Sequence, residues 1–163
     1  MPIRSVWLLT IFIFCSISAA PAHASCANPD FTADAFIGKW NDRVSASELG
    51  SAWQLEKYNG LGFIRQNLDG PSLLLTAQVD KAGCITKLDI KSRREDTDGY
   101  AALVAWMSVI NATNPSLSQE ERKAVISGLN LDKPNAGGSY AAKRVTYKFA
   151  ETAEMNDFSA TSQ

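Results

Sequence analysis

The chain has 163 residues, which is enough for one domain with a substantial hydrophobic core. Its 16 Lys and Arg residues nearly balance its 17 Asp and Glu residues. This balance argues against a basic nucleic-acid-binding protein and against a protein drawn to a strongly anionic membrane.

The first 24 residues have the pattern of a secretory signal peptide. Arg4 supplies a positive start, an apolar run extends from Trp7 to Ile17, and the small-residue sequence ending at Ala24 is typical of a cleavage site. The apolar run is short for a transmembrane helix. We therefore expect cleavage after Ala24 and a single exported domain over residues 25–163, with a retained N-terminal anchor as the alternative.

Cleavage changes the chemistry of the exported chain. It removes His23, the only histidine, and the loss of Arg4 takes the formal net charge from −1 to −2. Cys26 lies close to the cut, but His23 stands where a lipoprotein signal requires a residue like leucine. We therefore expect a soluble periplasmic or secreted bacterial protein rather than a lipoprotein.

An amphipathic helix is predicted from Ala33 to Ser45. Thr32 is suited to its N-cap, and Phe31 and Phe36 have the spacing of a hydrophobic staple. The apolar positions then recur at the helical period, so that one side of the helix faces a core.

A four-stranded antiparallel meander is predicted after this helix. Asn59-Gly60 and Asp69-Gly70 are hairpin signals, and a third turn falls over residues 80–83. The strands are predicted at Trp53–Tyr58, Leu61–Leu68, Leu73–Val79 and Cys84–Lys91.

The hydrophobic pattern predicts the register of the meander and its core face. Leu75 is expected opposite both Leu88 and Ile64, its neighbours on either side. The three turns agree on one buried face. Its predicted members are Trp53, Leu55, Ile64, Leu68, Leu73, Leu75, Val79, Leu88 and Ile90.

Two helices and a last strand complete the predicted fold. The first helix spans about Asp98 to Ala112, and the second begins with a capping box at Ser118 and ends near Ser127. One strand follows at Tyr140–Ala150, and residues 152–163 are expected to fray. The fold class is thus α+β: an N-terminal helix, the meander, two helices and a C-terminal strand, with the helices packed on one antiparallel sheet.

In the first of the two later helices, one apolar stripe comprises Tyr100, Leu103, Val104, Met107 and Ile110. Ala102, Trp106 and Val109 make the opposite side apolar too, so the helix is expected to be buried on both sides.

Cys26 and Cys84 are predicted to form a structural disulfide. The exported chain has no histidine and no further cysteine pair, so a metal site or a redox motif lacks the ligands it requires. A bridge over so long a loop is worth roughly 4 kcal/mol on the chain-entropy model. We expect no cofactor and no metal.

The sequence shows no recognisable catalytic motif. A nucleophile activated by histidine is excluded in the exported chain, and the acidic residues have structural explanations at helix starts. A carboxylate-dependent envelope hydrolase remains an alternative, and its candidate residues are Glu95, Asp96, Asp98, Glu120 and Glu121.

The side of the sheet that faces away from the predicted core carries the candidate binding residues. They are Tyr58, Phe63, Arg65, Leu74 and Ile85. A contiguous apolar patch on a surface often marks an interface. A later helix that covers this side is the alternative.

These observations favour a small exported non-catalytic domain that binds another exported or envelope protein, as an inhibitor, immunity factor, secretion accessory or complex subunit. No nucleic acid is expected as partner, and no membrane span in the exported chain. The second hypothesis is a small-molecule or lipid binder with a pocket between sheet and helices near Trp40, Trp53 and Trp106. The order of elements is common to many unrelated domains and does not assign a function.

Overall fold

A computed structural model describes residues 26–47, 50–69, 72–131 and 137–163. The predicted signal peptide, residues 1–24, lies outside the described residues. The described chain contains three α-helices and six β-strands, so the α+β class is confirmed. The helices are α1 (Ala33–Ser45), α2 (Gly99–Thr113) and α3 (Gln119–Gly128), and the strands are β1 (Phe63–Asp69), β2 (Leu73–Val79), β3 (Ile85–Arg93), β4 (Gly137–Ala142), β5 (Val145–Glu151) and β6 (Met155–Ser162).

All six strands form one antiparallel sheet in the order β1-β2-β3-β6-β5-β4. Two three-stranded meanders, β1 to β3 and β4 to β6, are joined where β3 pairs with β6. The outer strands of the sheet are therefore β1 and β4.

Helix α1 has the predicted bounds and the predicted cap. The side chain of Thr32 accepts a hydrogen bond from the Ala35 backbone N–H, which satisfies one of the free donors at the helix start. Phe36, Trp40 and Val44 are buried on its inner side. The stripe seen in the sequence is therefore the packed face of the helix.

The strand predicted at Trp53–Tyr58 is absent from the described chain. A 3-10 turn ends at Trp53, and the next residues have no regular structure. The reason is that α1 takes their backbone groups: Trp40 Nε1 donates to the Trp53 carbonyl (2.7 Å), while the Asn41 amide bonds both the N–H and the C=O of Leu55. The meander consequently has three strands rather than four.

The register of β3 differs from the prediction by two residues. Leu75 lies opposite Ile90 rather than Leu88, and a bulge near Val79 leaves Val79 opposite Ile85. The Asp80 carboxylate, which accepts from the Cys84 N–H, draws that cysteine into the turn. The bulge reverses the side on which the first residue of β3 lies.

The pairing of β1 with β2 also differs from the prediction by two residues. Ile64 lies opposite Ala77, and Leu75 lies opposite Gln66. A shift by two residues keeps each side chain on its face. The strand residues predicted for the core face therefore stay buried, and Trp53 and Leu55, which lie outside the sheet, are buried as well.

The C-terminal part of the prediction is wrong in two places. The strand expected at Tyr140–Ala150 is a hairpin of β4 and β5, turned at Lys143, whose φ is 53°. The tail expected to fray forms β6, which lies in the middle of the sheet with Phe158 and Ala160 fully buried.

Helix α2 is buried on the side of Ala102, Trp106 and Val109, as predicted, but its other stripe is only partly buried. The ring of Trp106 lies 4.8 Å from that of Phe149 on β5, and it stacks on Phe158 of β6. Tyr100 and Leu103 are instead 59% and 41% exposed. Of that stripe only Ile110 is fully buried, so the expectation that this helix is buried on both sides is wrong.

Among the described residues, no helix is long and apolar enough to cross a membrane.

Candidate functional site

Three of the five candidate binding residues meet at the outer edge of the sheet. Tyr58 comes shortly before β1, and Phe63 and Arg65 lie on it. Leu61, which sequence reasoning did not select, is 66% exposed beside them, and Phe63 is 55% exposed. We call these four residues, Tyr58, Leu61, Phe63 and Arg65, the β1 surface.

Two glycines shape the approach to β1. Gly60 and Gly62 both have φ near +81°, a conformation that side chains other than glycine's rarely adopt. The Gly62 N–H donates to the Tyr58 hydroxyl (2.9 Å), and the Leu61 N–H donates to the Asn59 side chain (3.1 Å). These local bonds hold Leu61 at the tip of the turn, where its side chain stays in solvent.

A groove of about 140 Å³ separates β1 from the segment before it. One wall is formed by residues 55–59, and the other by residues 63–66. Because α1 holds the start of the first wall through Leu55, that wall does not pair with β1.

The backbone of β1 presents unpaired groups to this groove. The Val79 N–H donates to the Gly62 carbonyl (2.8 Å), and hydrogen-bonded pairs alternate with non-bonded pairs in an antiparallel ladder. Ile64 therefore bonds to β2, whereas the N–H and C=O of Phe63 and Arg65 point outward. Within the described ranges, these four outward groups have no hydrogen-bond partner.

Charged groups surround the groove without pairing to each other. Glu56, Lys57 and Arg65 line it, and all three are exposed. None of them makes an ion pair with another residue in the described part of the chain. The groove thus carries two positive charges and one negative charge that remain available to a partner.

The other two candidate residues do not join this group. Leu74 is half-buried on β2, opposite Asn67 and diagonal to Arg65, so it borders the β1 surface at one end. Ile85 is only 1% exposed because the bulge turns it into the core. The expectation that Ile85 faces a partner is wrong.

The rest of this side of the sheet is polar. Lys87 pairs with Asp89 along β3 (2.8 Å), and Lys91 of β3 lies 3.9 Å from Asp157 on the neighbouring strand β6. Lys148 is exposed on β5. Apolar exposure on this side is accordingly concentrated at the β1 surface.

The acidic residues considered for hydrolysis hold local structure. Asp98 caps α2 through the Tyr100 N–H, and Asp96 bonds Arg93. Glu121 completes the capping box of α3, and its hydrogen bond from the Ser118 backbone lowers the pKa of its carboxyl below the ordinary value of 4.5. An ionised cap of this kind is a poor proton donor.

Glu95 and Glu120, the remaining acidic candidates, are exposed at the surface.

The tryptophans proposed to line a ligand pocket are packed against other rings. Trp40 stacks on Trp53 at 6.4 Å, and Trp106 contacts Phe149 and Phe158. All three tryptophans are buried, and none lines the β1 groove or the four other surface depressions found among the described residues.

Cys26 and Cys84 are bonded and join the start of the domain to the turn before β3. Thr32 forms a β-bridge with Cys84, and the Ala33 N–H donates to the Gly83 carbonyl (2.9 Å), so the same junction is held by backbone contacts. A disulfide is compatible with an oxidising compartment.

Comparison with known proteins finds no matching family model, no similar curated protein and no similar solved structure.

Proposed function

We propose that this chain is a small exported non-catalytic domain that binds another exported or envelope protein through the β1 surface. The observation that carries the proposal is the exposure of Leu61 and Phe63 side by side at an open sheet edge. Exposed large apolar side chains next to each other are typical of interaction sites, and aromatic and arginine side chains supply much of the binding energy at interfaces.

Two further features support an exported protein that does not catalyse a reaction. The Cys26–Cys84 disulfide is stable in an oxidising compartment, and the sequence before it has the signal-peptide pattern. After His23 the sequence contains no histidine, and the acidic candidates serve as helix caps or lie in solvent. The packed tryptophans give the ligand-pocket alternative no support.

Site-specific photo-cross-linking in the native compartment tests the proposal. A photoreactive residue at position 63 is compared with one at Lys148, which is exposed on the same side of the sheet but far along it. We expect one stoichiometric partner to cross-link from position 63 and not from position 148.

A matched pair of substitutions makes the test quantitative. Phe63→Asp places a charge in the proposed contact and should weaken capture of that partner by about 30-fold or more, the loss of an interface hot spot. Lys148→Asp should leave capture unchanged. Equal cross-linking from both positions, or full capture by a folded Phe63→Asp protein, would refute the β1 surface.

A further inference from the structure

We infer that the partner binds as an extended segment that adds a seventh strand to β1. The inference rests on the proposed function and specifies the chemistry of the partner: an apolar side chain beside Phe63 and a carboxylate beside Arg65. Strand addition at an exposed edge uses main-chain hydrogen bonds for affinity and alternate side chains for specificity.

Two hydrogen bonds at the ends of β1 and β2 determine which backbone groups of β1 are open. The Val79 N–H bonds the Gly62 carbonyl, and the Arg93 N–H bonds the Ser72 carbonyl (2.8 Å). Along β2 the backbone groups of successive residues point alternately to β1 and to β3. The two bonds agree on this alternation, because the Val79 N–H points to β1 and the Ser72 carbonyl, seven residues earlier, points to β3. The outward direction of the Phe63 and Arg65 backbone groups therefore follows from two independent contacts.

The two edges of the sheet are not equivalent. On β4 the outward carbonyl of Gly137 accepts from the Asn130 side chain (3.0 Å), and the outward residues Ser139 and Ala141 have small side chains. On β1 the outward backbone adjoins a groove and large apolar side chains. Among the described residues, a partner strand thus gains more hydrogen bonds and apolar contact at β1 than at β4.

Charge determines which segment fits. Natural edge strands are protected from unwanted pairing by charged side chains, and Arg65 is the charged residue in the regular part of β1. Its guanidinium has no carboxylate partner in the described chain, and Lys57 lies across the groove. A segment with a carboxylate opposite Arg65 satisfies this charge, whereas a basic segment is repelled.

A synthetic strand tests the inference without the natural partner. The probe is a capped peptide of about ten residues, which spans β1 when extended. Threonine stands at every second position, and valine and glutamate alternate between. One control peptide carries lysine for glutamate, and another has alternate backbone amides methylated so that its pairing edge cannot donate.

Amide hydrogen exchange of the folded protein reports the binding mode. At a peptide concentration ten times Kd, exchange at Phe63 and Arg65 should slow by about tenfold. The β4 amides should not change. Neither control peptide should protect β1, and in an Arg65→Glu protein the lysine peptide should bind better than the glutamate peptide.

Three results would overturn strand addition. One is no protection at about 1 mM glutamate peptide. Another is equal protection by the methylated peptide. The third is protection of the Phe63 and Arg65 amides that grows with protein concentration alone, which would make a second copy of the chain the occupant.

The failures of the two proposals are distinguishable. If Phe63→Asp abolishes partner capture but no peptide protects the amides, the β1 surface stands and strand addition fails. If the peptide protects the amides but nothing cross-links from position 63, the edge accepts a strand and the proposed function fails.

Discussion

Proline substitution at adjacent positions of β1 tests the direction of its backbone groups. Gln66 lies opposite Leu75, and the alternation that turns the Arg65 N–H outward turns the Gln66 N–H toward β2. Gln66→Pro therefore removes a ladder hydrogen bond and pushes the proline ring against β2. Arg65→Pro removes an N–H that donates no hydrogen bond to any described residue. Edge strands tolerate proline only at outward positions.

The expected difference is large enough to measure. Gln66→Pro leaves the Leu75 carbonyl unpaired and should lower the free energy of unfolding by about 3 kcal/mol. Arg65→Pro should lower it by less than about 1 kcal/mol. For a domain of this size the first change corresponds to a fall in Tm of roughly 10 °C.

Urea unfolding followed by tryptophan fluorescence measures both effects, since Trp40, Trp53 and Trp106 are buried. Arg65→Ala and Gln66→Ala separate the loss of each side chain from the effect of the proline ring. Equal destabilisation by the two prolines, or a larger loss for Arg65→Pro, would show that the outward groups have been assigned to the wrong residues. The inferred strand addition would then lose its basis.

Three further predictions concern the stability of the domain. Replacing Cys26 and Cys84 together by serine removes a bridge across a sequence separation of 58 residues and should cost roughly 4 kcal/mol in the same urea assay. Burial raises the pKa of the Tyr147 hydroxyl above its ordinary value of 10.0. The contribution of this neutral hydroxyl to the free energy of unfolding should therefore be fully present below pH 10 and fall as pH rises toward the folded pKa. Tyr147→Phe should abolish this fall. The pKa of Glu121 is lowered, so its contribution to the free energy of unfolding should be present above pH 4.5 and be lost as pH falls below that value. In Glu121→Gln the free energy of unfolding should therefore change less over this acidic range.

Local signals in the sequence were sufficient where one element depends on its own residues. The Thr32 cap and the capping box of Ser118 and Glu121 both reappear in the structure. The strand residues of the core face were also correct, because a shift in register by two residues leaves each side chain on the same side of its strand.

The wrong predictions share a cause in long-range contacts. The turn between β4 and β5 contains no glycine. The Lys143 side chain in this turn donates a hydrogen bond to the Ser116 carbonyl in the loop before α3. Strand β6 has a buried pattern of only Phe158 and Ala160, and it is stable because β3 and β5 pair with it on both sides. Neither contact can be inferred from spacing along the chain.

The candidate site is a case of the same limit. Its side chains could be selected from alternation along β1, but its open backbone depends on the absence of a strand that the hairpin signal at Asn59-Gly60 favours. Leu61 was missed for this reason. It was expected to begin a strand directly after a tight hairpin turn, whereas it lies at the tip of a longer turn with its side chain exposed.

The decisive competition is between β1 and α1 for the backbone of one segment. Leu55 is apolar and buried, as a central-strand residue would be, yet the Asn41 side chain accepts from its N–H (2.7 Å) and donates to its C=O (2.9 Å). One amide side chain thus satisfies both groups that a neighbouring strand would otherwise satisfy, at no cost in unpaired polar atoms. Leu55 can therefore enter the core without pairing to β1, and β1 is left as the edge on which the proposed binding depends.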